Sequence, residues 1–179
     1  MYVSVADRSE TMQVLLAQSG DREALGALLT RVQPSLSRYL RMVTRDDARA
    51  DDVLQDTLVI VVRKLRSLKD AQLFRPWIYR IATREAHRGR TAEEVPLDGI
   101  AEPAGGEDLL RTLATAEQDS RLREAVRQLP DRAREAVALH YFEELPLHQI
   151  AALLDVPLGT VKSRVAYGLA RLRTREREP

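Results

Sequence analysis

Six side chains between Thr160 and Arg171 are of types that bond phosphates and base edges: Thr160, Lys162, Ser163, Arg164, Tyr167 and Arg171. Hydroxyls, an ammonium and guanidinium groups can hold a DNA backbone and, when placed in the major groove, donate to bases. The residues between them are apolar at helical intervals. Val161, Val165, Leu169 and Leu172 must face the opposite way, so the polar set stands on the free side of one helix. Just upstream, Ile150, Leu153 and Leu154, then Val156, give a shorter helix its own buried stripe, and Pro157 breaks the chain between the two. Two short helices around a tight turn form a helix-turn-helix whose second member is the recognition helix. A plain helical hairpin with a solvated face has the same spacing. The balance from Lys162 to Arg177, six basic residues against the single acid Glu176, favours a nucleic-acid partner.

A second group lies upstream. Asp52, Gln55 and Asp56 stand at i, i+3 and i+4 and therefore share one helix face, offering two carboxylates and an amide to whatever docks there. Acids in a first turn also suit the helix dipole, which accounts for Asp51 and Asp52 but not for Gln55 and Asp56 one turn on. Further along, Trp77 and Tyr79 are interleaved with Arg75, Arg80 and Arg84. Aromatic rings and arginines together suit single-stranded DNA, by stacking on bases and neutralising phosphates. Trp77 itself shares helical spacing with Phe74 and Ile81 and is read as core.

Helical elements must position these groups. Apolar periodicity predicts helices over residues 10–18, 22–32, 34–43, 48–65 and 75–87, with Asp21 and Asp46 or Asp47 as N-caps. A second set follows over 109–128, 131–141, 147–154 and 159–173. The run Leu58-Val59-Ile60-Val61-Val62 is read as the buried centre of a long helix, because helical spacing continues on both sides. Between the two sets, residues 91–106 contain Pro96, Gly99, Pro103, Gly105 and Gly106, few apolar residues and no basic ones, which predicts a flexible linker. The expected architecture is all-α: two small helical domains, residues 1–90 and 109–179, joined by an acidic linker over 91–108.

Charge follows that division. The net charge is only +1, but residues 1–90 carry +5, residues 91–119 carry −7 and residues 120–179 carry +3. A composition of 44% hydrophobic and 31% charged residues suits a folded protein with a buried core. With no cysteine, disulfides and thiolate metal sites are excluded. His87, His140 and His148 lack metal-ligand spacing, and no phosphate-binding Gly-Lys-Ser loop is present. No enzyme activity, cofactor or metal is expected. Nor does any run approach the roughly 18 apolar residues of a membrane helix, and the N-terminus lacks a signal-peptide pattern, so a cytoplasmic location is expected.

Four segments together resemble the extracytoplasmic-function (ECF) sigma factors of bacterial RNA polymerase. They are Ala50-Asp51-Asp52-Val53-Leu54-Gln55-Asp56-Thr57-Leu58; Phe74-Arg75-Pro76-Trp77-Ile78-Tyr79-Arg80-Ile81-Ala82; Leu129-Pro130 with Leu139-His140-Tyr141-Phe142-Glu143; and Gly159-Thr160-Val161-Lys162-Ser163-Arg164. The resemblance implies that the first domain is sigma region two and the second region four. It implies that Asp52, Gln55 and Asp56 bind the clamp helices of core RNA polymerase. It implies that the loop over residues 67–73, with Lys69 and Gln72, captures a base of the melted minus-10 element beside Arg75, Tyr79, Arg80 and Arg84. It implies that Thr160, Lys162, Ser163, Arg164, Tyr167 and Arg171 read the minus-35 element, and that the linker threads the polymerase cleft. The implied function is transcription initiation at a stress or envelope regulon, with an anti-sigma factor as a further partner.

The chain departs from the family pattern after Ile81-Ala82. There Thr83-Arg84-Glu85-Ala86-His87-Arg88-Gly89-Arg90 replaces the usual asparagine, apolar residue, aspartate and arginine-rich end, so minus-10 roles are not carried beyond Arg84. Val62 stands where an aromatic is common, and Asp155 where the turn often has glycine, a position at which aspartate tolerates a left-handed backbone. Two other functions fit the residues: a free-standing helix-turn-helix regulator that binds duplex DNA alone, and a sigma-like adaptor that sequesters an anti-sigma factor.

Overall fold

The computed structural model describes residues 5–88 and 116–175, and every regular element among them is helical. The chain divides after Arg88 into two compact units. The expected linker over 91–108, and residues 109–115 of the helix expected to follow it, lie outside the described residues.

The first unit contains α1 (Val5–Gln18), α2 (Arg22–Thr44), α3 (Asp47–Lys64) and α4 (Phe74–His87). Two short 3-10 turns, Leu65–Ser67 and Ala71–Leu73, connect α3 to α4. Both expected caps form. The Asp21 carboxylate accepts from the Glu23 and Ala24 amides, and that of Asp46 from the Arg49 amide, satisfying N–H groups that a helix start leaves open.

The helices expected over 22–32 and 34–43 are one helix, with Pro34 inside it. The buried stripe Leu28, Val32, Leu36, Tyr39, Leu40 and Val43 crosses the proline without a break. Pro34 and Thr30, whose carbonyl loses its partner, are both exposed, so water can serve the freed oxygen. Burial of each large apolar side chain contributes roughly 1.5–3 kcal/mol, enough across this stripe to offset the proline's cost of about 3 kcal/mol.

Two expectations of burial need correction. In α3 only Val61 of the apolar run is fully buried, while Val59 and Val62 are about half exposed, at 46% and 48%. A helix packed on one side cannot bury five consecutive residues, whatever their polarity. In α4 the buried set is Phe74, Ile78, Tyr79, Ala82, Thr83 and Ala86, whereas Trp77 and Ile81 lie half-buried at its edge. The Tyr39 ring meets that of Tyr79 edge-on at 5.2 Å, and the Tyr39 hydroxyl and Thr83 Oγ1 share a 2.6 Å hydrogen bond inside the core.

The second unit contains α5 (Ala116–Arg127), α6 (Asp131–Val137), α7 (Leu147–Leu154) and α8 (Leu158–Arg175). α6 runs into a π-helical segment, Ala138–Phe142, whose wide turn is closed by the Glu143 amide on the Ala138 carbonyl at 3.3 Å. Arg134 is buried, yet its guanidinium donates to the Leu129 and Arg127 carbonyls and to Asp131, so the buried charge is hydrogen-bonded. α8 passes close to α6 at Gly168, where an added Cβ would stand 2.6 Å from Val137 Cγ2.

Candidate nucleic-acid and polymerase interface

The helix-turn-helix is built from α7 and α8. At the end of α7, Asp155 adopts the left-handed region (φ 57°, ψ 48°), and both its amide and that of Val156 bond the Ala151 carbonyl. This closes the turn in the manner of a helix C-cap, with aspartate in the place where glycine would be unstrained. Pro157 stands immediately before α8, its carbonyl accepting from the Val161 amide at 3.3 Å. Val161, Val165, Leu169 and Leu172 are buried, as their spacing predicts, and so is Ile150 on α7.

That seam turns the polar residues of α8 outward. Lys162 and Arg171 are exposed, and Thr160, Ser163, Arg164 and Tyr167 are partly exposed. Arg171 Nε donates to the Tyr167 hydroxyl at 3.0 Å, and its guanidinium lies 5.5 Å from the centre of that ring. The hydrogen bond engages Nε, and a guanidinium on an exposed side chain is suited to a bidentate acceptor such as a phosphate or a guanine edge.

In the first unit, Asp52, Gln55 and Asp56 are all exposed on one face of α3. Val59 and Val62 continue the same face by one and two turns, so carboxylates and an amide border an open apolar strip. Asp51, beside them, is paired with Arg41 at 3.4 Å. The structure brings the polar three together as their spacing implies. The adjoining valines were missed because their apolar character reads as core.

The residues expected at single-stranded DNA are not all on one surface. Lys69, Gln72 and Arg84 are exposed, and Arg80 is half-buried. Arg75 is exposed but ion-paired, its Nε 3.1 Å from the buried Glu10 of α1. Tyr79 is only 2% exposed and packs on Tyr39, so it is a core residue and not a base-stacking platform. It is inward because α4 packs against both α2 and α3 and so buries a stripe wide enough to take both Ile78 and Tyr79.

The loop over 67–73 is a compact double turn. Asp70 caps its second half by accepting from the Gln72 amide at 2.9 Å, Ala71 is buried, and Lys69, Gln72 and Leu73 project outward. Its first half is held by Gln18 of α1, whose side-chain amide donates to the Leu65 and Leu68 carbonyls. Glu10 and Gln18 act on this surface from more than forty residues away, and no local spacing signals them. No helix among the described residues is long and apolar enough to cross a membrane, and no His, Asp or Glu cluster there is placed to hold a metal.

Comparison with known proteins gives these faces a context. Residues 28–94 match the family model of sigma-70 region 2, and residues 125–174 that of sigma-70 region 4. The chain is 32% identical to the ECF RNA polymerase sigma-E factor of Haemophilus influenzae, over 83% of this chain and 85% of that protein. The chain belongs to the ECF sigma factors. The sigma-E factor of Escherichia coli K12 is also 32% identical, over 87% of this chain and 88% of that one. The RNA polymerase sigma-H factor of Pseudomonas aeruginosa is 29% identical over 83% of each chain.

Solved structures share the sigma-factor fold. CnrH, in complex with the cytosolic domain of CnrY, aligns with a TM-score of 0.68 at 22% identity, covering 94% of this chain and 97% of that one. The sigma factor RpoE of Bartonella quintana, in complex with the anti-sigma factor NepR, aligns with a TM-score of 0.59 at 24% identity, covering 84% and 96%. This alternative sigma factor thus carries both regions, one in each compact unit.

Proposed function

We propose that this sigma factor docks on core RNA polymerase through the Asp52, Gln55 and Asp56 face of α3, and from there reads a promoter at two points. In the first unit, Lys69 and Gln72 of the 67–73 loop, with Arg75, Arg80 and Arg84, hold the melted minus-10 strand. In the second, Thr160, Lys162, Ser163, Arg164, Tyr167 and Arg171 of α8 dock the minus-35 duplex in the major groove. Domain limits of 1–90 and 109–179, with 91–108 as linker, go with this reading. The observation that carries it is the helix-turn-helix itself: one face of α8 is sealed by Val161, Val165, Leu169 and Leu172, and the other presents hydroxyls and cations.

Two tethered contacts become strong only when a scaffold sets their spacing, since the gain from bivalency depends on geometry. With a net charge of +1, the chain alone has little long-range attraction for duplex DNA. Core enzyme supplies the scaffold. CnrH and RpoE are each solved with a bound partner, in RpoE an anti-sigma factor, which supports an anti-sigma factor as a partner of this chain too.

Titrating labelled promoter DNA at one stated salt concentration, with and without core polymerase, tests the reading. Tight sequence-specific binding only with core enzyme is expected. Equally tight binding by the chain alone would favour a free-standing regulator. Asp56→Arg should lose co-purification with core enzyme while keeping its helical melting transition.

A further inference from the structure

The chain leaving α3 ends in a 3-10 turn whose last carbonyls have no helical partner to accept from. The Leu65 carbonyl takes the Leu68 amide at 3.1 Å. It also takes the side-chain amide of Gln18, at 2.9 Å, and the Leu68 carbonyl takes the same nitrogen at 2.7 Å. Both acceptors are carbonyl oxygens, so the group facing them must be the NH2 end of the side chain, whose two hydrogens serve one oxygen each. Gln18 is the last residue of α1 and lies outside the residues that match sigma-70 region 2.

The tie fixes the entry to the 67–73 loop. Within the loop, the Gln72 and Leu73 amides bond Asp70, and only Ala71 is buried. Beyond it, Glu10 of the same helix holds Arg75. α1 therefore grips the chain on both sides of the segment that faces outward. Holding an unstacked base must offset a few kcal/mol of unstacking, and a loop that has to order itself on binding loses affinity to that ordering.

We propose that Gln18 is a positioning residue for minus-10 base capture, holding the loop in its receiving shape through the Leu65 and Leu68 carbonyls. This rests on the assignment of the loop under Proposed function. Gln18 touches no DNA in this scheme. It acts only through the backbone, so donor capacity at its side chain matters and volume does not.

The test uses the full chain assembled with core RNA polymerase and a single-stranded minus-10 oligonucleotide carrying 2-aminopurine, whose fluorescence rises when the base unstacks. Gln18→Glu and Gln18→Met keep length and approximate volume but offer no N–H, and each should weaken oligonucleotide binding about tenfold and lose the fluorescence rise. Gln18→Lys restores donors on a chain long enough to reach both carbonyls, and should stay near wild type. Minus-35 duplex binding and core binding should not change in any of them. A Gly-Ser replacement of residues 67–73 serves as reference. If it abolishes capture while the Glu and Met variants bind like wild type, the role of Gln18 is refuted and the loop assignment stands. If it has no effect, the loop assignment fails and the inference with it. Parallel loss of minus-35 and core binding in the Glu and Met variants would also overturn it, as a general folding defect.

Discussion

Replacing Gly168 with alanine should destabilise the second unit, although alanine is the better helix former. The new Cβ would lie 2.6 Å from Val137 Cγ2, 3.3 Å from Leu129 Cδ1 and 3.8 Å from Ala133 Cβ. Methyl groups rest near 3.5–4.0 Å, so about 1 Å must be found. Val137 is fully buried and branched at Cβ, and cannot swing its methyl aside without leaving its preferred rotamer. Overpacking of this kind costs about 1–3 kcal/mol, against roughly 1 kcal/mol gained in helix propensity. The net expectation is a loss of about 1 kcal/mol, or roughly 4–8 °C in the melting temperature of a unit this small. Gly26 on α2 is the control. A Cβ there meets nothing within 4 Å, so Gly26→Ala should stabilise by about 0.5–1 kcal/mol. Thermal unfolding by circular dichroism and calorimetry reads both. Equal stabilisation by the two substitutions would refute the close packing of α8 on α6. Loss in Gly168→Ala that Val137→Ala does not relieve would refute Val137 as its cause.

Further expectations follow from single contacts. Tyr39→Phe strands Thr83 Oγ1 in the core and should cost about 1–3 kcal/mol in a denaturant melt. Asp155→Gly should leave the turn between α7 and α8 intact or firmer, whereas Asp155→Val should loosen it and weaken minus-35 binding, because a β-branched residue resists φ 57°. Arg164→Ala, measured on matched and mismatched minus-35 duplexes with core enzyme present, should lose about 1–3 kcal/mol of discrimination; an unchanged preference would remove Arg164 from base reading.

How much of this was legible in the sequence depended on whether a residue's neighbours were local. The helix-turn-helix could be read because its seam, its break at Pro157 and its left-handed Asp155 all lie within about twenty consecutive residues. The shared face of Asp52, Gln55 and Asp56 needed only helical spacing. Pro34 misled because a local rule ends a helix there, while the stripe from Leu28 to Val43 is stabilised by other helices. Tyr79 misled for a similar reason: its ring is claimed by Tyr39, forty residues earlier on α2. Val59 and Val62 read as core by their apolar character, although helical spacing puts them on the face of Asp52, Gln55 and Asp56 that the structure leaves open. Gln18 and Glu10 are fixed by contacts 47 and 65 residues away that no spacing announces.

The most direct measurement is run-off transcription with purified core RNA polymerase on genomic promoter fragments, with and without this chain. Discrete transcripts that appear only when the chain is added, and that vanish with Asp56→Arg, are the predicted result. No transcript from any fragment, in the presence of a chain that binds duplex DNA tightly by itself, would contradict it.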